Sequence, residues 1–74
     1  MENDRIAIDP RVMGGQPVIK GTRITVALIL RELGRGADVG EILAQYPHLE
    51  AEDIRAAAAY ASKVVSGEIL MAAE

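Results

Sequence analysis

The stretch Asp38-Val39-Gly40-Glu41-Ile42-Leu43-Ala44-Gln45-Tyr46-Pro47-His48-Leu49-Glu50-Ala51-Glu52-Asp53-Ile54 decides the architecture. Asp38 with Glu41 three residues later has the spacing of a capping box, in which each side chain accepts the other residue's orphan N–H. Ile42, Leu43 and Tyr46 then supply an apolar face, and Pro47 stops this short helix. A turn of about four residues follows, holding the single apolar residue Leu49. A longer helix starts near Glu50 and carries Ile54, Ala57, Ala58, Ala61, Val64 and Val65 on one stripe until Gly67. Glu50, Glu52 and Asp53 lie at its positive dipole end, although Glu is a weaker capping residue than Ser, Thr, Asp or Asn. Short helix, turn and longer helix form the pattern of a helix-turn-helix.

Upstream, Val26, Ile29, Leu30 and Leu33 recur at i, i+3, i+4 and i+7 behind Thr25, a good N-cap. Gly34 and Gly36 end this helix, which spans about 26–34 and completes a three-helix unit. Ala57, Ala58 and Ala61 suit close helix crossing in that unit. Before Thr25 the helical period is lost. β-Branched residues between Gly and Pro punctuation read as strands near 5–8 and 18–20, with a third extended segment around 23–25. Gly14-Gly15 and Gly21 read as tight turns that need positive φ. The first of these lacks the Gly-Lys-Ser/Thr ending of a phosphate-binding loop, so it is a turn and not a nucleotide cradle. The fold class is therefore mainly α with a small β extension. Its parts are an N-terminal β-hairpin and dimerisation arm (1–25), a three-helix domain (26–67) and a C-terminal tail (68–74).

Half of the 74 residues are apolar, yet twelve of those are alanine, Phe and Trp are absent, and Tyr46 and Tyr60 are the only aromatics. Such a core is lean, and a chain this short without a disulfide is marginal alone. A homodimer is expected, formed by pairing the hairpin edge across a two-fold axis. One His and no Cys argue against zinc, iron–sulfur and thiol redox chemistry. No nucleophile–base pair can be assembled, and His48 reads as a turn residue and not a general base. The expectation is a protein that is not an enzyme, with no cofactor, no metal and no small-molecule substrate. No apolar run approaches the roughly 20 residues of a membrane span, and Met1-Glu2-Asn3-Asp4-Arg5 has no signal-peptide character, so a cytoplasmic location is expected.

Charge divides the chain. Residues 1–37 carry six basic against four acidic groups, a balance of +2, and residues 38–74 carry two against seven, a balance of −5, giving the net −3. Polyanion contacts are expected in the first half and basic partners at the second. Lys20 and Arg23, with Arg11 beside them, are the candidates for phosphate contact, and Arg55 is the helpful cation on the longer helix. The alternative for Arg23 is an ion pair with Asp9 or Glu32, and pairing is the favoured reading for Arg11. Three acids at the start of a recognition helix repel a duplex but suit a basic protein. Ile69, Leu70 and Met71 are candidate partner-binding residues in the tail. They either order on a partner, or form a last helical turn folded back on the core or a frayed end.

The run Gly14-Gly15-Gln16-Pro17-Val18-Ile19-Lys20-Gly21-Thr22-Arg23-Ile24 closely resembles the signature of the bacterial family known as domain of unknown function 433. Glu41-Ile42-Leu43, Tyr46-Pro47-His48-Leu49, Asp53-Ile54 and Tyr60-Ala61 continue the likeness over about residues 5–66. Within that motif Gly14, Gly15, Pro17, Gly21, Thr22 and Arg23 are the structural positions. The resemblance implies a homeodomain-like helix-turn-helix with an N-terminal β extension. It further implies an antitoxin of a type II toxin–antitoxin pair that binds and neutralises a PIN-like nuclease toxin and autorepresses its operon on double-stranded DNA. The alternative is a stand-alone dimeric DNA-binding transcriptional regulator. One departure stands out: Glu50-Ala51 occupies the place where the family commonly has Thr or Ser followed by Pro, adding a negative charge at the start of the longer helix.

Overall fold

The structure is a computed structural model that describes residues 4–68. Strand β1 (Ile6–Ala7) pairs antiparallel with β2 (Val18–Ile19) in the register Ile6 to Ile19 and Ala7 to Val18. The pairing is extended by the Lys20 N–H, which donates to the Arg5 carbonyl at 2.7 Å. The segment near 23–25 contributes a single bridge, Thr25 to Val18, and no full strand. Between the strands the chain makes a tight turn at Met13–Gly15 with φ values of 51°, 68° and 86°. Two glycines take that left-handed path freely, whereas Met13 pays a steric cost of about 1 kcal/mol for it.

Helix α1 (Val26–Gly34) starts where Thr25 Oγ1 accepts the Leu28 N–H at 3.0 Å. Helix α2 (Val39–Gln45) opens on a complete capping box: Asp38 Oδ1 accepts the Glu41 N–H and Glu41 Oε1 accepts the Asp38 N–H, each at 2.8 Å. A connection through Pro47 and the buried Leu49 leads to α3 (Ala51–Val65), the longest element. Both α1 and α3 end in a Schellman motif. After α1 the Gly36 and Ala37 N–H groups reach back to Leu33 and Glu32, and after α3 those of Gly67 and Glu68 reach back to Val64 and Lys63.

The core is one cluster. Ile6 and Ile19 from the hairpin, Val26 and Ile29 from α1, Ile42 from α2 and Leu49 from the connection meet Ile54, Ala56, Ala57 and Tyr60 of α3. Helix α3 packs on α1, on α2 and on β1, so it is the element that the others share. Its buried stripe differs from the one the sequence suggests. Ala56 and Tyr60 point inward, while Ala58 and Val65 face solvent. With alanines at 56, 57, 58 and 59, the apolar period is blurred, and the bulky Tyr60 sets the phase. The small residues at the crossing are therefore Ala56, Ala57 and Ala61.

Candidate interaction surfaces

The turn after β2 is built in layers. The Thr22 N–H donates to the Ile19 carbonyl at 2.9 Å, closing a turn whose third residue, Gly21, has φ 82° as a type II turn requires. The Thr22 hydroxyl donates to the same carbonyl at 2.8 Å and accepts the Ile24 N–H at 2.9 Å. Pro17 is buried, and its carbonyl accepts the Val26 N–H, which ties the turn to the start of α1. Pro17, Gly21 and Thr22 are thus scaffolding for this turn, as Gly14 and Gly15 are for the turn between the strands. What the turn after β2 holds out to solvent is Lys20 and Arg23, both exposed and neither in an ion pair among the described residues.

The acids expected to pair with Arg23 are otherwise engaged. Arg11 takes Asp9, with Nε donating to Oδ1 at 3.1 Å and Nη2 to Oδ2 at 3.0 Å, while its own N–H also donates to Oδ1. These hydrogen bonds hold the Asp9 carboxyl below its ordinary value. Arg35 approaches Glu32 at 3.7 Å.

At the start of α3 the structure shows a tie that has no counterpart in the sequence reading. Arg5, just before β1, donates to Asp53 Oδ1 at 2.9 Å and to Glu50 Oε1 at 3.1 Å. The bond to Asp53 chiefly, and then the one to Glu50, raise the guanidinium still further above its ordinary value. Asp53 is only 7% exposed, and its second oxygen accepts the Glu50 N–H at 2.8 Å. The weak cap is therefore rescued from the N3 position. The remaining acid, Glu52, accepts from Arg55 Nε at 2.8 Å and from its Nη2. The three acids at this helix end share two cations, Arg5 between Glu50 and Asp53 and Arg55 on Glu52, so Arg55 is a paired side chain rather than a free one. The signal that was available is Glu50-x-x-Asp53, which has capping-box spacing; Arg5 lies too far along the chain for any local pattern to find it.

A third surface is an open apolar groove beside the C-terminal half of α3, lined by residues of α1, of α3 and by Pro17. The candidate partner-binding residues Ile69, Leu70 and Met71 lie outside the described residues. Among the described residues no three His, Cys, Asp or Glu side chains group as a metal site, and no helix is long and apolar enough to cross a membrane.

Comparison with known proteins places this arrangement. The crystal structure of a DUF433 member protein from Anabaena variabilis matches with a TM-score of 0.81 at 40% identity, covering 88% of this chain and 64% of that one. An uncharacterized protein of Sinorhizobium fredii, y4eO, is 38% identical over 56 residues, which is 76% of this chain and 25% of that protein. The chain thus spans a quarter of that curated relative and under two thirds of the Anabaena protein. The family model described as "Protein of unknown function (DUF433)" matches residues 6–61, from the first strand into the later turns of α3. The chain belongs to the DUF433 family.

Proposed function

We propose that this chain is a non-enzymatic regulatory binding module, the antitoxin of a toxin–antitoxin pair. In this reading it neutralises a PIN-like nuclease and represses its own operon as a dimer, with α2 and α3 as a helix-turn-helix. The observation that carries the nucleic-acid half is the turn after β2. Gly21 and Thr22 set its geometry and Pro17 ties it to α1, and it presents two exposed cations that make no ion pair among the described residues. Lys20 and Arg23 contact phosphates, and α3 enters the major groove with Arg55, Ala59 and Ser62 on its exposed face. The Arg5 tie lessens the repulsion that Glu50 and Asp53 would exert on the duplex. The toxin half is supported by the charge asymmetry of the sequence, whose acidic second half suits a basic protein. The partial coverage of the Sinorhizobium protein fits a module that is combined with other segments.

The test has two arms. A tagged full-length chain is used to capture proteins from nuclease-treated host lysate at moderate salt, and a stoichiometric small nuclease is the expected catch. In parallel, binding to the chain's own upstream DNA is followed by anisotropy between 50 and 200 mM salt. Lys20→Ala and Arg23→Ala should each flatten the salt slope by about 1, as loss of one phosphate contact does. DNA binding without a nuclease would establish the second reading, a stand-alone dimeric transcriptional regulator, which the exposed Lys20 and Arg23 also favour. Neither partner in either arm would overturn both.

A further inference from the structure

The apolar groove has a volume of about 230 Å³ and is lined in part by Pro17, Leu30, Tyr60, Ala61, Val64 and Val65. Val65, at its edge, is 87% exposed, and it occupies the last position of α3. In a chain whose core depends on alanines, an open apolar surface of this kind asks for a cover.

Three observations identify the cover. First, α3 stops beside the groove. Gly67, with φ 87°, turns the backbone away from the helix axis, and the Glu68 N–H is fastened to the Lys63 carbonyl at 2.8 Å. Second, the residues that come next in the chain are Ile69, Leu70 and Met71. Three residues reach about 10 Å when extended, and Ala61 to Val65 rises only about 6 Å along the helix. The segment is therefore long enough to lie along the last turn of α3. Third, the same motif has already done this once in the molecule: after the Schellman stop of α1, Ala37 packs back against the core.

We propose that Ile69, Leu70 and Met71 seat in this groove of their own chain and cover Val65. The tail is then an intramolecular strap over the α1–α3 seam, and not a peptide held out for a protein partner or for a second copy. The proposal does not depend on the chain having a nuclease or DNA as partner.

Val65→Gln and Leu70→Gln test it in the full chain, because glutamine is a good helix former and neither change should prevent folding. A glutamine in place of an uncovered valine at a helix end should leave Tm unchanged or raise it. Under the strap, each substitution lowers Tm by roughly 4–8 °C, consistent with loss of a modest buried contact in a domain of this size. The double variant should fall no further than the worse single, since both remove one contact. Methyl NOEs from Ile69 and Leu70 to Val64, Val65 and Leu30 should appear within one molecule. Unchanged Tm in both single variants would overturn the proposal. So would NOEs that arise only between differently labelled molecules in a mixed sample, which would place a second copy in the groove.

Discussion

Helices α2 and α3 begin in nearly the same way, and the difference between the two beginnings shows what the arm contributes. At α2, Asp38 and Glu41 exchange N–H groups entirely within four consecutive, exposed residues. At α3 the N3 residue, Asp53, accepts the Glu50 N–H, but its other oxygen is held by Arg5 from the far end of the described chain. The first start is local and solvated. The second is half-built by α3 and completed by tertiary structure, and Asp53 is buried in the process. A helix whose cap residue is a poor one has thus been made to depend on the hairpin that packs against it.

Substitutions at the two starts should separate them. The largest effect belongs to Asp53→Ala, which removes a buried cap acceptor and the partner of Arg5 together. It should cost about 2 kcal/mol, or roughly 8–16 °C in Tm, by thermal denaturation followed by circular dichroism. Asp53→Asn, which can still accept the Glu50 N–H, should recover about half of that loss. If Asp53→Ala proves no worse than Asp38→Ala, the contrast between the starts collapses.

Arg5→Ala comes next. It leaves the Glu50 N–H bonded to Asp53 but strips the carboxylate of its cation, so its Tm should fall between those of Asp53→Ala and Asp38→Ala. Asp38→Ala itself should cost about 1 kcal/mol or less, the usual value for an exposed cap. Amide exchange should then show faster opening confined to the first turn of α2, whereas Asp53→Ala should loosen the hairpin as well.

The smallest effect concerns Asp9 and Arg11, a local and exposed pair like the α2 start. The folded-state value of Asp9 lies below its ordinary 3.8. Its stabilisation is therefore present above that ordinary value and is lost as pH falls through the depressed one. Arg11→Ala should move the Asp9 titration, followed by carboxyl-carbon NMR, upward toward 3.8 with little change in Tm at neutral pH. No movement would mean that Arg11 does not hold Asp9 in solution.

The parts of this molecule that were legible in its sequence are those set by neighbours along the chain. The bounds of α1, the Thr25 cap, the Asp38–Glu41 box and the stops at Gly36 and Gly67 all follow from patterns within a few residues. The inward face of α3 was less legible. Where alanine occupies four successive positions, hydrophobic period carries little information, and Tyr60 decides the phase only once the core is assembled. The turn that carries Lys20 and Arg23 was legible because the chemistry around Gly21 is local, but whether Arg23 pairs with Asp9 or Glu32 is open in the sequence and is settled only by where those acids find their partners. Arg5 was not found as the partner of α3, nor was Arg55 identified as the partner of Glu52. The first pairing joins residues 48 apart, beyond the reach of any local pattern. The second is an i to i+3 match, open to a local reading, that the expected role of Arg55 in nucleic-acid contact had obscured.

The Arg5–Asp53 bond joins residues 48 apart in the chain, and that separation has a kinetic meaning. Closing so long a loop is entropically expensive, and nothing rewards the closure until the hairpin is already docked. The tie therefore forms on the native side of the folding barrier. A chevron analysis of Arg5→Ala should show an accelerated unfolding limb over an almost unaltered refolding limb. The arm in this picture is a latch: it does little to guide the helices together, and it sets how long they stay together once they meet.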